Sequence, residues 1–333
     1  MNAYPIKFRP ILKEKIWGGE KLTKLFNKDS KSSSIGESWE ISGVNDNVSV
    51  VSNGIYKGKT LNELIKDFKT DFLGFENIRN YGENFPLLIK FLDASKNLSV
   101  QVHPDDKMAS KHHNSFGKTE MWYIMDNEKD AEIILGLKDQ KLEASKLEDI
   151  NSKNVRQIFN SVKVNKGDSY FIPAGKVHAI GAGVMVAEIQ QTSDITYRVY
   201  DWDRVDDNGN SRELHTDLAT KATKVFPSDG KSNYKLQHGK SSNLVDCNFF
   251  KTNIFNVEGS QTKNYSKLDS FVIFMCVEGN AEITQNGLTE VITMGETVLI
   301  PANSNDVSFN AEHAKFLEVY VERNTVSTKK MAS

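Results

Sequence analysis

The chain has 333 residues, 38% hydrophobic and 26% charged, which is long enough for two globular domains and too apolar for a disordered chain. Its 42 Lys and Arg against 44 Asp and Glu leave a formal charge of −2, with no basic cluster beyond short Lys pairs, and this argues against a generic nucleic-acid or acidic-membrane binder. Two cysteines, Cys247 and Cys276, lack metal-site or disulfide spacing and read as free thiols of a reducing compartment. Residues 1–10 hold no apolar signal-type run and no stretch is long enough to span a bilayer, so a cytoplasmic protein is expected.

In chain order, residues 35–43 alternate and read as a strand, and residues 48–51 as another. Residues 60–68 read as a helix: Thr60 is a good N-cap, Glu63 completes a capping box, and Leu61, Leu64, Ile65 and Phe68 form one face. Residues 86–92 read as a buried strand. Residues 98–103 then alternate, Leu98, Val100 and Val102 on one face and Ser99, Gln101 and His103 on the other, ending at Pro104. A hydroxyl, an amide and an imidazole in one row suggest half of a metal or sugar site. A polar loop with His112 and His113 follows.

Residues 118–125 alternate again, Lys118 and Glu120 sharing a face with Trp122 and Ile124. The charged stretch 142–162 reads as one or two short helices. A turn at 164–168 leads into a strand over 169–172 that Pro173 stops. His178 follows, then a strand over 184–190 with Glu188, Gln190 and Thr192 on one face. Residues 206–210 read as a polar turn and 214–223 as a short helix. Residues 227–243, nearly devoid of apolar side chains, read as a linker, and 324–333 as a flexible tail.

The two halves echo each other. Ala131-Glu132-Ile133 recurs as Ala281-Glu282-Ile283, and the run 166–174 recurs as 294–302, each a Gly-acidic turn, a buried strand and a Pro stop. Jelly-roll barrels are built from such units. The expected fold is therefore mainly β: two jelly-roll barrels with a few short helices inserted, over 1–226 and 244–323, joined by 227–243. Where the first copy has Glu120 and His178 the second is read as having Ser270 and Asp306, so one barrel is equipped and the other mainly structural.

Gln101, His103, Glu120 and His178 fall on or at the ends of strands of the first copy. Two imidazoles, a carboxylate and an amide suit a divalent transition metal, Zn²⁺ by default and Mn²⁺, Fe²⁺ or Co²⁺ as alternatives. Lys118 shares the Glu120 face and Arg198 closely follows the Glu188 strand, so Lys118, Glu188 and Arg198 could serve proton transfer and anion binding. Ser99 and Arg204 are candidates for substrate contact. His112, His113, His215 and His238 are read as structural or solvated.

Residues 99–105, 117–123, 172–180 and 186–202, with Trp17-Gly18-Gly19 and Gly36-Glu37-Ser38-Trp39, resemble class I mannose-6-phosphate isomerase (phosphomannose isomerase) in its short bacterial form. The resemblance covers roughly residues 5–320. It implies two cupin barrels and one zinc per chain in the first, held by Gln101, His103, Glu120 and His178. It also implies an active-site arginine at Arg198, with Lys118 and Glu188 in the cleft. The implied reaction interconverts mannose 6-phosphate and fructose 6-phosphate through an enediol. The implied partner is a small phosphosugar, with no nucleic acid or membrane, acting on a monomer or weak homodimer. Alternatives left open are a cupin dioxygenase, a non-catalytic or differently specific sugar-phosphate-binding cupin, and an inactive paralogue.

Overall fold

Period-two alternation sorts the first barrel into layers. The structure, a computed structural model, describes residues 1–139, 150–205, 209–237 and 239–322. The expectations for 142–149, 206–208, His238 and the tail 324–333 lie outside the described residues. Among these residues no helix is long and apolar enough to cross a membrane.

The chain divides into two compact units. One comprises Pro10–Trp39 and Leu87–Ser232. The other comprises Met1–Arg9, Glu40–Pro86 and the chain from Asn233 onward. Contiguous domains over 1–226 and 244–323 are therefore not what is seen. The reason is local pairing: Ile6–Lys7 adds as a strand to Thr297–Ile300, and helix Phe75–Tyr81 is capped by Asp269, whose carboxylate accepts from the Phe75 and Glu76 amides at 2.7 and 2.8 Å. The expected linker is also partly ordered. The Phe171 amide donates to Gly230 and the Ser232 amide to Ser169, which covers the edge strand Ser169–Ile172. Ser242–Asp246 is itself a strand.

In the first unit a six-stranded sheet runs in the order Ile11–Gly19, Ile35–Ser42, Leu87–Ala94, Val184–Gln191, Glu120–Asn127, Ser169–Ile172. A five-stranded sheet runs Tyr197–Tyr200, Val100–Val102, His178–Ile180, Glu132–Leu137, Phe159–Lys163. One buried cluster takes Leu92, Trp122, Ile124, Ile172 and Val186 from the first sheet and Ile133, Leu135 and Ile180 from the second. The opposite face of the five-stranded sheet, with Val100, Val102, Ala179, Tyr197 and Val199, packs with Ala219 and Ala222 of helix Thr216–Ala222. Gln101, His178 and Arg198 alternate with those residues, and the register pairs His178 with Gln101 and Gln101 with Arg198. All three side chains therefore share one face.

Several local expectations hold. Thr60 and Glu63 form the capping box, with Thr60 N–H donating to Glu63 at 2.8 Å. Others change. Residues 48–51 make only isolated bridges. His112 and His113 end a helix, Asp106–His113, whose N-cap Asp105 accepts from the Met108 amide. Leu98 packs with the interior cluster, away from Val100 and Val102. Phe159, which fits a helical spacing, starts a strand paired with Glu132–Leu137.

The repeat is real in its backbone bonds. In the first unit the Ile124 amide donates to Asp168 and the Gly167 amide to Ile124. In the second the Cys276 amide donates to Glu296 and the Gly295 amide to Cys276. Gly167 and Gly295 both sit at positive φ, 92° and 87°, a conformation that favours glycine. The register corrects one correspondence: Glu120 pairs with Ile172 as Val272 pairs with Ile300, so Val272 and not Ser270 is the counterpart of Glu120.

The second unit centres on a sheet containing Lys251–Asn264, Val272–Gln285 and Asp306–Tyr320. Its interior holds a ring cluster of Phe255, Phe274, Phe309 and Phe316, with centroids within 6.4 Å. Beside it Lys263 pairs with buried Glu318 and lies 3.9 Å from the Phe255 ring centroid. Burial alone would raise the Glu318 carboxyl, but Lys263, Tyr265 and Asn253 outweigh it and hold it below the usual carboxylate range. Lys263→Met should therefore destabilise this unit by about 3 kcal/mol by leaving a buried carboxylate unpaired. All four tryptophans lie in the other unit. The expected result is an earlier urea transition by circular dichroism, with a much smaller shift by tryptophan fluorescence.

Candidate metal centre and active-site cavity

His178 stands on its strand between outward-facing Val177 and Ala179, and His103 follows Val102 where Pro104 ends the strand. Glu120 opens its strand, in register with Gln190 and Ile172. Their side chains meet in a buried cluster in which one ligand atom of each lies within 4.8 Å of the others. The two Nε2 atoms are 3.0 Å apart. Glu120 Oε2 lies 3.5 Å from His103 and Oε1 lies 3.4 Å from His178.

The hydrogen bonds assign the tautomers. His103 Nδ1 lies 2.9 Å from the Ile195 carbonyl and His178 Nδ1 lies 2.8 Å from the Lys176 carbonyl. A carbonyl only accepts, so each Nδ1 carries the proton and each Nε2 presents a lone pair. Two lone pairs facing one another, with Glu120 Oε1 lacking a hydrogen-bond donor, form a donor set that a cation satisfies, and the carbonyls behind the rings are the usual support for metal-ligating histidines. The group could thus hold a metal. Lys118 reaches the cluster, its Nζ 2.8 Å from His103 Nε2 and 2.7 Å from Glu120 Oε2.

The electrostatics agree. Burial, with Lys118 adding to it, lowers His178 to about 3 and His103 well below the ordinary histidine value, so both rings are neutral. Burial pushes Glu120 up to about 7 against the pull of Lys118.

Beside this cluster opens a cavity of about 160 Å³, lined by Gln101, Lys118, Glu188 and Trp122 among others. Glu188 sits in a cross-strand row between Lys90 and Trp122. The Trp122 indole donates to it at 2.9 Å and Lys90 Nζ lies 3.2 Å away. Burial would raise its carboxyl, but Lys90 and Lys118 overcome this and lower it, so Glu188 is ionised.

The structure thus brings together Gln101, His103, Glu120, His178, Lys118 and Glu188. Arg198 shares the face of Gln101, but its guanidinium donates to the Glu213 carbonyl at 2.7 Å, and its buried Nε has no hydrogen-bond partner. Arg204 is turned away, donating to the Asn97 carbonyl at 2.6 Å and pairing with Asp201. Ser99 is buried and does not line the cavity. The sequence reading gave no site role to Lys15, Glu37, Trp39, Lys90, Asp194 or Thr196, all of which line it, although Glu37, Trp39, Asp194 and Thr196 fall in the motifs quoted above. Lys90 carried a signal: a lone charge inside the apolar run 87–92 is anomalous for a buried strand unless it has a partner.

A model described as the catalytic domain of type I phosphomannose isomerase matches residues 6–145, and one described as the cupin domain of mannose-6-phosphate isomerase matches residues 233–321. The chain is 37% identical to mannose-6-phosphate isomerase ManA of Bacillus subtilis, over 90% of this chain and 94% of that protein. It is 34% identical to a mannose-6-phosphate isomerase of Streptococcus mutans, over 93% and 96%. The crystal structure of a mannose 6-phosphate isomerase from Bacillus subtilis superposes with a TM-score of 0.85 at 34% identity, covering 95% of this chain and 99% of that one. The chain belongs to the type I mannose-6-phosphate isomerase family.

The donor geometry separates holding a metal from merely lying near it. His178→Ala should abolish stoichiometric metal in protein dialysed against a divalent cation and assayed by atomic absorption. Lys118→Met, which removes the competing ammonium from His103 and Glu120, should retain it.

Proposed function

We propose that this member of the type I mannose-6-phosphate isomerase family interconverts mannose 6-phosphate and fructose 6-phosphate at the Lys118–Glu188 cavity, beside a Zn²⁺ held by Gln101, His103, Glu120 and His178. The observation that carries the metal is the facing pair of lone-pair nitrogens. Gln101 is the neutral oxygen donor in register with His178 that would complete a four-ligand set. A bound divalent cation supplies Lewis-acid stabilisation of negative charge on the O1/O2 edge of the sugar.

The chain's own groups do the rest. The reaction lifts a proton from C2 and returns it to C1, and so needs a base that is unprotonated yet reaches the cavity. Glu188 meets both conditions, because Lys90 and Trp122 fix its orientation and Lys90 keeps it ionised. Lys118 is a proton donor in contact with the ligand cluster and lines the same cavity as Glu188. Arg198, with an Nε–H in reserve, is assigned to the sugar oxygens, where a guanidinium fork binds an oxyanion. The apolar wall of Trp17, Leu92, Leu98 and Ile180 limits water around the enediolate. The free thiols of Cys247 and Cys276 support a reducing, cytoplasmic setting.

The test is a coupled assay for fructose 6-phosphate before and after chelation, with zinc restored. Activity lost on chelation and regained with zinc is the expected result; none in zinc-loaded protein would leave a sugar-phosphate-binding cupin instead. Glu188→Gln and Arg198→Ala should keep the metal while kcat falls on the order of 10²-fold or more. Metal content together with single-substrate kinetics checks both.

A further inference from the structure

Between the strands Ser169–Ile172 and His178–Ile180 the chain turns over residues 173–176. This turn bonds to the residues around three of the four proposed ligands. The Gly175 amide donates to the His103 carbonyl at 2.9 Å. The Ala174 amide donates to the hydroxyl of Thr119, the residue before Glu120, at 3.2 Å. The Lys176 carbonyl accepts from the His178 ring at 2.8 Å. A displaced turn would therefore displace the ligands.

Residues 224–232 form a strap that fastens the turn. The Lys224 amide donates to the Gly175 carbonyl at 2.8 Å, and Lys224 Nζ pairs at 2.7 Å with Asp105, two residues past His103. The Lys176 side chain, with the whole residue only 2% exposed, donates from Nζ to the carbonyls of Ser228 and Asp229 at 2.9 and 2.5 Å. The same Nζ lies 5.9 Å from the Phe226 ring centroid. A buried ammonium is tolerated only where it finds hydrogen-bond partners, and here the strap's main chain supplies them. Gly230 makes the close approach feasible. Its φ is 87°, and a Cβ there would fall 2.2 Å from the Phe171 carbonyl oxygen and 3.2 Å from Lys176 Nζ.

We infer that Lys176 is a positioning residue of the metal centre, tying the His178 ring through its main chain to the 228–230 strap through its side chain. The inference rests on the metal-dependent isomerase reading and adds to it a residue outside the ligand set and outside the cavity. Groups that orient metal ligands govern how tightly the metal is kept, and losing one costs on the order of 10- to 100-fold in affinity.

The experiment follows zinc release from loaded protein into a chelator in wild type, Lys176→Met, Gly230→Ala and Asp229→Asn, with the visible spectrum of the cobalt-substituted protein as the second readout. Lys176→Met removes the donors and keeps an apolar stem; Gly230→Ala displaces the strap and leaves Lys176 in place. Each should release zinc at least fivefold faster and shift the cobalt bands. Asp229→Asn removes a charge but leaves the carbonyl, and should match wild type in both readouts. A smaller change in release for either folded variant overturns the inference. So does faster release with unmoved cobalt bands, because the ligands would then stand as in wild type, and so does an equal effect of Asp229→Asn, because the carboxylate would then be what holds the ammonium. If one variant fails to fold, judged by circular dichroism of the metal-free protein, the other decides; if both fail, the strap holds the fold rather than the ligands and the inference falls. Failure of the metal-dependent isomerase reading looks different: wild type itself would take up no stoichiometric zinc.

Discussion

An apolar barrel interior accepts charge only where each charge answers another, and the first barrel meets this condition with two linked sets of ion pairs. Lys15, Glu37, Lys90 and Glu188 alternate in sign along one wall, and Lys118 and Glu120 close the other. An isolated buried carboxylate would take up a proton. Here Glu37 and Glu188 remain ionised because ammoniums are built in beside them. Glu120 is pushed the other way, to about 7, by burial that Lys118 does not outweigh and by repulsion from Glu188. That contrast sets the division of labour. The carboxylate that burial leaves short of positive charge is the one in the cluster that could hold a cation, and the other stays ionised in the cavity.

Much of this is legible in the sequence. Alternation in 100–102 and 118–125 placed Gln101 and Glu120 on strands and His103 just past a strand end, although Leu98 departs from the pattern. The capping box at Thr60 and Glu63 was legible because both partners lie within one turn. What escaped was non-local. Asp269 capping the helix at Phe75, and Ile6–Lys7 pairing with Thr297–Ile300, join residues nearly two hundred or more apart. A residue-by-residue pattern carries no trace of such pairings, and they are what make the units discontinuous. The same limit hid Lys15 and Glu37, whose role depends on which strands become neighbours. The short helix after Pro104 was hidden differently. Asp105-Asp106 at its start and Lys111-His112-His113 at its end fit the helix dipole, but the eight-residue segment has only a weak apolar face.

The repeat shows which part of a barrel is scaffold and which is chemistry. Both units close the same turn with the same amide-to-carbonyl bonds, and both place glycine where φ is positive. The side chains aimed inward then diverge. One interior gathers imidazoles and ion pairs; the other gathers phenylalanine rings, with the Lys263–Glu318 pair beside them. Backbone pairing does not depend on what the interior side chains do, so the turn survives the exchange of a polar interior for an aromatic one.

That shared turn gives the molecule an internal control. A functional site is usually costed against a mutant whose interior has been emptied and has then relaxed. Here one polypeptide offers the same turn built twice, once beside a polar cavity and once beside packed rings, under identical solvent and temperature. Exchange rates of the amides of Gly167 and Gly295, which donate to matching carbonyls at similar φ, compare the local opening free energy beside an interior of imidazoles and ion pairs with that beside an aromatic one.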